Sequence, residues 1–246
     1  MPAPKLVAHR GYARRFPENT LAAVEGAIHA GAHFVEIDVQ LTSDGYPVLF
    51  HDRTTERMCG EPGSIGERTL AQVRELSCHE PGTFGAQFQS EGIASLGAFA
   101  QLLRKHPQVR AFVEVKRAAL ERFGNERVLE RVLHAIEPAR HQCSLISFSL
   151  PFLLHTRAAH PIALGAVFDA WKERDQPAVR ELRPEFVFCD VEGLPARGAL
   201  AHDGARLVIY EVADSKLAIA LGERGVEFVE TFEIGAMRAA LGPDPA

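Results

Sequence analysis

Two short stretches of the chain combine strand-like alternation with charged side chains in apolar surroundings. From Phe34 to Leu41 the side chains alternate, so that Glu36 and Asp38 share one face while apolar residues take the other. From Ala111 to Lys116 the same alternation places Glu114 on one face together with the lysine. A surface strand would turn such a face toward water. Because such a charged face occurs in two strands that are otherwise apolar and expected to be buried, the pattern indicates a site for a hard cation.

The rhythm of the remaining chain predicts a closed barrel. About eight apolar, strand-like runs alternate with about eight helix-like runs. This alternation is typical of parallel strands joined by right-handed crossovers, and eight such units close a TIM (β/α)8 barrel. An open doubly wound α/β sheet is the alternative, but no GxGxxG motif follows the first strand. We therefore predict a single TIM-barrel domain over residues 1–246.

The alternation stops between residues 53 and 92, where the chain is rich in Gly, Pro, Ser and polar residues. Just before it, Val48 to Phe50 is predicted to be a further strand or a continuation of the second one. A loop of this length in a compact chain is either functional or wrongly assigned. We predict that residues 53–92 form a lid-like insertion after the second strand. Much later in the chain, we also predict a short helix near Arg197 to His202.

Composition narrows the range of partners and compartments. A formal net charge of -5 argues against nucleic acid as the main partner, because phosphate-backbone binders carry a basic field. No apolar run reaches about twenty residues, so no membrane span is expected. The four cysteines, which form no CxxC pair, are Cys59, Cys78, Cys143 and Cys189. With no signal-peptide pattern in MPAPKLVAHRG, free thiols and a cytoplasmic location are expected, and the oligomeric state stays open.

Polar residues gather at the predicted carboxyl ends of the first three strands. His9 ends strand one, Glu36 and Asp38 lie late in strand two, His51 follows its extension, and Glu114 and Lys116 close strand three. In such barrels these ends form the mouth. Three inward carboxylates would repel one another and resist burial unless a cation joined them. Oxygen ligands alone favour Mg²⁺ or Ca²⁺ over Zn²⁺.

Several motifs occur together along the chain. They are HRG at residues 9–11, PENT at 17–20, the E-x-D of Glu36 and Asp38, TSDGYPVLFHD at 42–52, and the E-x-K of Glu114 and Lys116. Weaker likeness continues through residues 70–76, 93–96 and 147–148. In this order and spacing, the motifs resemble those of the glycerophosphodiester phosphodiesterase family, and the resemblance covers most of the chain.

The resemblance implies a metal-dependent TIM-barrel hydrolase that splits glycerophosphodiesters into glycerol 3-phosphate and an alcohol. By matching position it implies Glu36, Asp38 and Glu114 as metal ligands, His9 and His51 as the acid/base pair, and Arg10 and Lys116 as phosphate-binding residues. In the family the substrate's own glycerol hydroxyl is thought to attack first, giving a cyclic phosphate that water then opens. We favour His9 as the base and His51 as the acid, although the sequence leaves their assignment open.

The resemblance weakens on the last two strands. Family members commonly carry Trp-Thr-Val-Asn on strand seven and Thr-Asp after strand eight, whereas this chain has YEVA at 210–213 and ETF at 230–232. The alcohol is therefore open, and Asp190, Glu192 and Glu211 are candidates for a negative wall that favours a cationic head group. Two alternatives are a phospholipase D acting on lysophospholipids or sphingolipids, which needs an apolar channel, and a barrel that binds phosphate esters without turning them over.

Some candidate residues also have purely structural interpretations. Arg10 and Lys116 could simply pair with the carboxylates. Asp52 could orient a histidine or cap a turn. Glu18 and Asn19 fit the start of a helix, with a role in holding the metal-binding loop as the alternative.

Overall fold

The computed structural model describes residues 3–202 and 204–242. Its strands are β1 (Lys5–Ala8), β2 (Phe34–Leu41), β3 (Pro47–Leu49), β4 (Arg110–Val115), β5 (Cys143–Ser147), β6 (Leu164–Phe168), β7 (Phe186–Asp190), β8 (Arg206–Tyr210) and β9 (Phe228–Thr231). Its α-helices are α1 (Leu21–His29), α2 (Glu56–Cys59), α3 (Leu70–Val73), α4 (Pro81–Phe84), α5 (Leu96–Arg104), α6 (Arg117–Phe123), α7 (Asn125–Ile136), α8 (Leu150–Ala159), α9 (Pro177–Leu182), α10 (Ser215–Glu223) and α11 (Ile234–Leu241). Short 3-10 helices span Ile65–Glu67, Glu137–Gln142 and Trp171–Asp175.

Eight parallel strands close into a barrel, as the sequence predicts. The order of pairing runs β1, β9, β8, β7, β6, β5, β4, β2, and β1 also pairs with β2, which completes the ring. The remaining strand, β3, pairs antiparallel with the end of β2, with Leu41 opposite Pro47. The fold is thus a TIM (β/α)8 barrel with one extra strand after β2.

Alternating side chains divide each barrel strand between two apolar regions. Val7, Phe112 and Phe228 belong to a cluster that fills the barrel interior, whereas their chain neighbours Leu6 and Val113 join the cluster beneath the helices. The interior is tight. A Cβ at Gly165 would lie 2.8 Å from side-chain atoms of Ile146 and Phe188, so only glycine fits there.

Local sequence signals account for where the outer helices begin and which face they bury. Thr20 precedes α1, and its hydroxyl accepts a hydrogen bond from the Ala23 amide, while Ser95 caps α5 in the same way. In α7 the buried residues are Val128, Leu129, Val132 and Ile136, a spacing that forms one apolar stripe facing the barrel.

The inserted segment, residues 53–92, contains α2, α3 and α4 and has a small apolar core of its own. Its buried side chains pack with those of β3 and the residues beside it: Val48, Phe50, Met58, Cys59, Ile65, Val73, Leu76, Cys78 and Ile93. A capping box at Thr69 and Gln72 starts α3. The segment is therefore packed beside the barrel and not extended over solvent.

The predicted short helix near Arg197 to His202 is wrong. In the described part of the 191–205 connection the backbone forms turns and irregular structure. Gly198, whose φ is +97°, interrupts a helical run within this range, and Pro195 precedes it. The carbonyls of both residues instead accept hydrogen bonds from the Arg224 guanidinium, at 2.6 and 2.9 Å.

Two further expectations concern the state of the cysteines and the presence of membrane-spanning helices. All four cysteines are buried free thiols, as predicted. Among the helices in the described ranges, none combines the length and the apolar character needed to cross a bilayer.

Candidate active site

The three carboxylates predicted as ligands come together on neighbouring strands. Asp38 of β2 lies directly opposite Glu114 of β4, and Glu36 lies two residues earlier on β2, on the same inward face. All three side chains are buried within the mouth. One oxygen from each lies within 4.8 Å of the others. Period-two alternation on two paired strands is what brings these oxygens together.

Two cations touch this carboxylate cluster. The Lys116 ammonium lies 3.1 Å from an oxygen of Asp38 and 2.7 Å from one of Glu114. The Arg10 guanidinium lies 3.3 Å from the other Asp38 oxygen, and the Arg10 backbone amide donates to Glu36 at 3.1 Å. Although burial opposes it, the charges of Lys116 and Arg10 hold the pKa of Asp38 below its ordinary value.

The other two carboxylates of the cluster are less well compensated. Burial raises the pKa of Glu36, and the negative charges of Asp38 and Glu230 raise it further. Burial also raises the pKa of Glu114, against the opposing charge of Lys116. In addition, Glu36 Oε1 is buried without a hydrogen-bond partner among the described residues. An all-oxygen donor set with an unsatisfied buried oxygen fits a divalent cation of the hard class.

Asn19 holds Asp38 in place from the loop before α1. Its side-chain amide donates to Asp38 Oδ2 at 2.8 Å, and its side-chain carbonyl accepts from the Asp38 backbone amide at 2.9 Å. Asn19 has a left-handed backbone, with φ of +58°, which asparagine tolerates better than most residues. The helix cap is Thr20, so Asn19 serves the carboxylate cluster and not the helix.

His9 lies immediately after β1, at the edge of the carboxylate cluster. Its Nε2 is 3.7 Å from Glu36 Oε2 and 4.0 Å from Glu230 Oε2. The ring stacks on Phe232, with 4.6 Å between centroids and an interplanar angle of 13°. Burial, followed by the nearby charge of Arg10, lowers the pKa of His9 well below its ordinary value. The imidazole is therefore neutral near pH 7.

His51 lies after β3 and is held by its neighbour. Its Nδ1 is 2.9 Å from Asp52 Oδ1, so Asp52 orients the ring and leaves Nε2 for other partners. The backbone here is fixed by Gln40, whose side-chain amide donates to the carbonyls of Phe50, His51 and Asp52 at 3.2, 3.2 and 2.6 Å.

One cavity of about 230 Å³ at the barrel mouth is lined by both histidines, both cations and two of the three clustered carboxylates, those of Glu36 and Glu114. The far wall carries Phe148, Asp169, Tyr210, Glu211 and Glu230. A neighbouring cavity of about 480 Å³ shares His51 and Lys116 and continues past Asp52. A larger cavity, about 730 Å³, opens at the opposite end of the barrel among the strand starts, and its lining carries only one carboxylate, Glu185. The chemistry therefore points to the smaller cavity.

Sequence reasoning missed two acidic residues of this wall. Glu230 is inward-facing and buried, and Asp169 follows β6 at the mouth. The available signal for Glu230 was its position two residues after Phe228, which places both side chains on one face of β9. Of the three carboxylates suggested for the wall, only Glu211 lines the cavity, whereas Asp190 accepts from the Glu192 amide in a local turn.

Comparison with protein families gives an extensive match. The profile of the glycerophosphoryl diester phosphodiesterase family matches residues 9–226. Among curated relatives, the protein named "Probable glycerophosphodiester phosphodiesterase 1" of Mycobacterium tuberculosis is 37% identical over 174 residues, covering 65% of this chain and 62% of the relative. Glycerophosphodiester phosphodiesterase 1 of mouse is 37% identical over 125 residues, covering 49% and 38%. The chain spans less than two thirds of the length of these relatives.

Solved structures match nearly the whole fold. An Oleispira antarctica phosphodiesterase, determined in complex with the product sn-glycerol-3-phosphate, is 25% identical and superposes with a TM-score of 0.82 over 97% of each chain. A glycerophosphodiester phosphodiesterase of Agrobacterium tumefaciens is 18% identical, with a TM-score of 0.74 over 96% of this chain and 99% of the other. The second likeness supports the fold alone.

Proposed function

Because the chain belongs to the glycerophosphoryl diester phosphodiesterase family, we propose that it hydrolyses glycerophosphodiesters to glycerol 3-phosphate and an alcohol. One observation carries the proposal: two imidazoles and two fixed cations line the same small cavity as Glu36 and Glu114, whose carboxylates cluster with the buried Asp38 beside it. A phosphodiester needs its charge neutralised and two protons moved, and these groups meet both needs. The fold's resemblance to an Oleispira protein that holds sn-glycerol-3-phosphate adds support.

Glu36, Asp38 and Glu114 would hold one divalent cation, Mg²⁺ or Ca²⁺. When bound, such a cation supplies positive charge that polarises the phosphoryl group. The protein's own contribution is to hold the three oxygens in place, which the Asn19 hydrogen bonds and the Lys116 contacts do at Asp38 and Glu114.

Arg10 and Lys116 would bind the phosphate oxygens. Burial opposes their charge, but the carboxylates beside them raise the pKa of both side chains. Both therefore stay charged across the physiological range. Each is already held by a carboxylate, Arg10 by Glu18 at 3.1 Å and Lys116 by Glu114 at 2.7 Å, so both are positioned before substrate arrives.

His9 would act as the base and His51 as the acid in the first step. His9 is neutral near pH 7 because burial lowers its pKa, so it can accept the proton of an attacking hydroxyl. His51 is oriented through Nδ1 by Asp52, which leaves Nε2 to protonate the departing alkoxide. When water then opens a cyclic phosphate, the two histidines exchange roles and the site returns to its starting state.

The lining of the mouth favours a small, cationic alcohol. The exposed Asp169 and Glu211 add two carboxylates to a wall that also carries Phe148 and Tyr210. Aromatic faces and carboxylates together attract quaternary and primary ammonium groups. By contrast, Phe84 and Phe88 pack on each other, and neither is among the residues that line the two cavities at the mouth. The lysolipid alternative therefore gains no support from this pair.

A substrate panel tests the proposal. Release of glycerol 3-phosphate would be measured with glycerophosphocholine, glycerophosphoethanolamine and glycerophosphoglycerol, and choline release with lysophosphatidylcholine, each with and without a chelator. The proposal expects chelator-sensitive hydrolysis of the first two at several times the rate of the neutral glycerol ester. Equal rates for charged and neutral alcohols would remove the head-group preference. Turnover of lysophosphatidylcholine alone would select the phospholipase D alternative, and binding without turnover would select the non-catalytic barrel.

The compartment proposed for this activity is the cytoplasm. Four buried thiols without a disulfide suit a reducing environment. A tagged chain followed by cell fractionation would test this location.

A further inference from the structure

Arg57 connects the inserted segment to His51. It lies in α2, and its guanidinium donates from Nε to Asp52 Oδ2 at 2.6 Å and from Nη2 to Asp52 Oδ1 at 2.9 Å. The same Asp52 Oδ1 lies 2.9 Å from His51 Nδ1. The three side chains therefore form one continuous hydrogen-bonded series in which Arg57 fixes the carboxylate that fixes the imidazole.

The guanidinium is held from more than one direction. Arg57 Nη2 also donates to Glu18 Oε1 at 2.6 Å, and Nη1 lies 3.6 Å from Glu80 Oε1. Glu18 belongs to the loop after β1, and Glu80 immediately precedes α4, so three separate segments of the chain converge on one side chain. A bidentate contact to Asp52 with a third hydrogen bond to Glu18 leaves the fork little freedom to rotate.

The backbone beneath Arg57 is also fixed. The two residues that follow it, Met58 and Cys59, are buried in the apolar core of the inserted segment. Gly60 ends α2 in the left-handed conformation, and the Glu80 amide donates to the Met58 carbonyl at 2.9 Å. The small core of the inserted segment thus fixes the backbone position of Arg57, and the hydrogen bonds to Asp52 fix the position of its guanidinium.

The acidic cluster around Arg57 does not need a metal ion to balance its charge. Glu18, His51 and Asp52 each offer a ligand atom within 4.8 Å of the others, an arrangement that could hold a metal ion. The Arg57 guanidinium already donates to two of these three residues. The positive charge at this cluster is therefore supplied by the protein itself.

We propose that Arg57 is the positioning residue for His51, and that the inserted segment serves the reaction by delivering this guanidinium to the Asp52 carboxylate. The inference rests on the proposed phosphodiesterase activity. With Arg57 in place, Asp52 keeps one oxygen directed at His51 Nδ1, and His51 keeps one ring orientation. Without it, Asp52 can rotate toward solvent, and His51 spends only part of its time oriented for proton transfer. Losses of this kind cost about 10- to 100-fold in rate.

The test compares two substitutions at this position with a matched control. Arg57→Gln removes the charge and the fork, and Arg57→Lys keeps the charge but not the fork. Arg157→Gln is the control, because Arg157 makes a bidentate pair with Glu185, at 2.7 and 3.1 Å, in the connection that precedes β7. For each variant, kcat and KM for glycerophosphocholine and the affinity for Mg²⁺ by calorimetry would be measured with the chain of residues 1–246.

The expected result is a kcat lower by about 10- to 100-fold in Arg57→Gln, an intermediate value in Arg57→Lys, and an unchanged kcat in Arg157→Gln. KM and Mg²⁺ affinity should stay within about twofold, because Arg57 touches neither the proposed phosphate-binding residues nor the Glu36, Asp38 and Glu114 cluster. A wild-type kcat in Arg57→Gln overturns the proposal. An equal loss in Arg157→Gln also overturns it, because the effect would then be one of general stability.

A spectroscopic measurement makes the test independent of turnover. With ¹⁵N-labelled histidine, the His51 Nδ1–H should give a protected, slowly exchanging signal in the wild type that is lost in Arg57→Gln and retained in Arg157→Gln. If wild type hydrolyses no glycerophosphodiester but this pattern holds, the proposed function fails while the positioning role stands. If Arg57→Gln does not fold, the same comparison is made with Arg57→Lys, where an unchanged signal together with an unchanged kcat would reject the role of the fork.

Discussion

The two histidines of the mouth lie in unlike surroundings. On the His51 side, Asp52, Arg57 and Glu18 form a continuous hydrogen-bonded network that satisfies the polar atoms within the protein. On the His9 side, four buried polar atoms have no hydrogen-bond partner in the described ranges: His9 Nδ1, Arg10 Nε, Glu36 Oε1 and Glu230 Oε1. Unsatisfied buried groups of this kind are costly, and a bound ion or a catalytic role is one of the recognised reasons for them.

The difference indicates that one side of the site is organised by the fold and the other by what it binds. The directions of the pKa shifts agree with this interpretation. Burial raises the pKa of Glu36 and of Glu230 and lowers that of His9, so all three residues favour their uncharged forms in the empty cavity. A cation and a phosphodiester would supply the missing charges and hydrogen bonds on this side, and the His51 side would change little.

The largest expected effect comes from removing one carboxylate of the proposed cation site. Glu36→Gln should weaken Mg²⁺ binding by about 100-fold or more and reduce hydrolysis to a similar degree, because loss of a residue that merely supports a metal ligand already costs about 10- to 100-fold, and Glu36 is a proposed ligand itself. Calorimetry of the cation-free protein measures the affinity directly. Unchanged Mg²⁺ affinity in Glu36→Gln would place the cation elsewhere and remove the contrast between the two sides.

Next in size is the loss of either histidine. His9→Ala and His51→Ala should each lower kcat by about 10²- to 10⁴-fold, the usual contribution of general acid/base groups. The comparison becomes sharper if the first step alone is followed, as single-turnover nitrophenolate release from a diester with this leaving group, which needs little protonation. His51→Ala should then recover much of its rate, whereas His9→Ala should not. The reverse pattern would exchange the assigned roles.

A smaller effect concerns the stability of the His9 side. Glu230→Gln should raise the free energy of unfolding of the cation-free protein at pH 7 by about 1–2 kcal/mol, since glutamine avoids the cost of ionising, or of protonating at neutral pH, a carboxyl that is buried and poorly paired. Burial raises the pKa of Glu230, so the wild type loses stability as pH rises above the unfolded pKa of about 4.3. The gain from glutamine should therefore vanish near pH 4.

Thermal or urea unfolding of Glu230→Gln beside Glu211→Gln would measure this effect. Glu211 lines the same cavity but is solvent-exposed, so its substitution should leave stability nearly unchanged. A destabilised Glu230→Gln would instead show that the glutamate has a structural partner.

The smallest effect concerns the pH dependence on the His51 side. Although burial opposes the shift, hydrogen bonds from His51 and Arg57 lower the pKa of Asp52, so this carboxylate stabilises the fold above the unfolded pKa of about 3.9. That stability is lost as pH falls through the lower folded pKa. The stability difference between wild type and Arg57→Gln, about 1 kcal/mol for a partly exposed pair, should be constant from about pH 5 to 8 and shrink in more acidic solution. A difference that grew toward acid would contradict the assignment.

The parts of the site that could be predicted from sequence lie on regular strands. Period two alone places Glu36 and Asp38 on one face, and the barrel rhythm brings Glu114 beside them. Parallel alternation also predicts the barrel, since eight repeated units have one common closed solution. The prediction near residues 197–202 failed because Gly198 adopts a left-handed backbone there, which a pattern of apolar residues does not reveal.

The rest depends on contacts between segments distant in sequence. Arg57 lies in a stretch without periodicity, so the sequence does not indicate its contacts. Two of its partners are Glu18, which precedes it in the chain by 39 residues, and Glu80, which follows it, and folding brings both to its guanidinium. Asn19 has the composition of a helix start, and only the close approach of β2 reveals its contacts with Asp38. Glu230 alternates with apolar neighbours as a surface residue would, and barrel closure is what buries it.

A crystal structure of the protein with Mn²⁺ and sn-glycerol 3-phosphate would test the central claim most directly, because manganese gives an anomalous signal and the phosphate marks the reacting group. The expected result is one Mn²⁺ bound by Glu36, Asp38 and Glu114, with the phosphate held by Arg10 and Lys116 between the two histidines. A metal peak away from these carboxylates, or a phosphate bound outside the cavity that His9 and His51 line, would contradict the account.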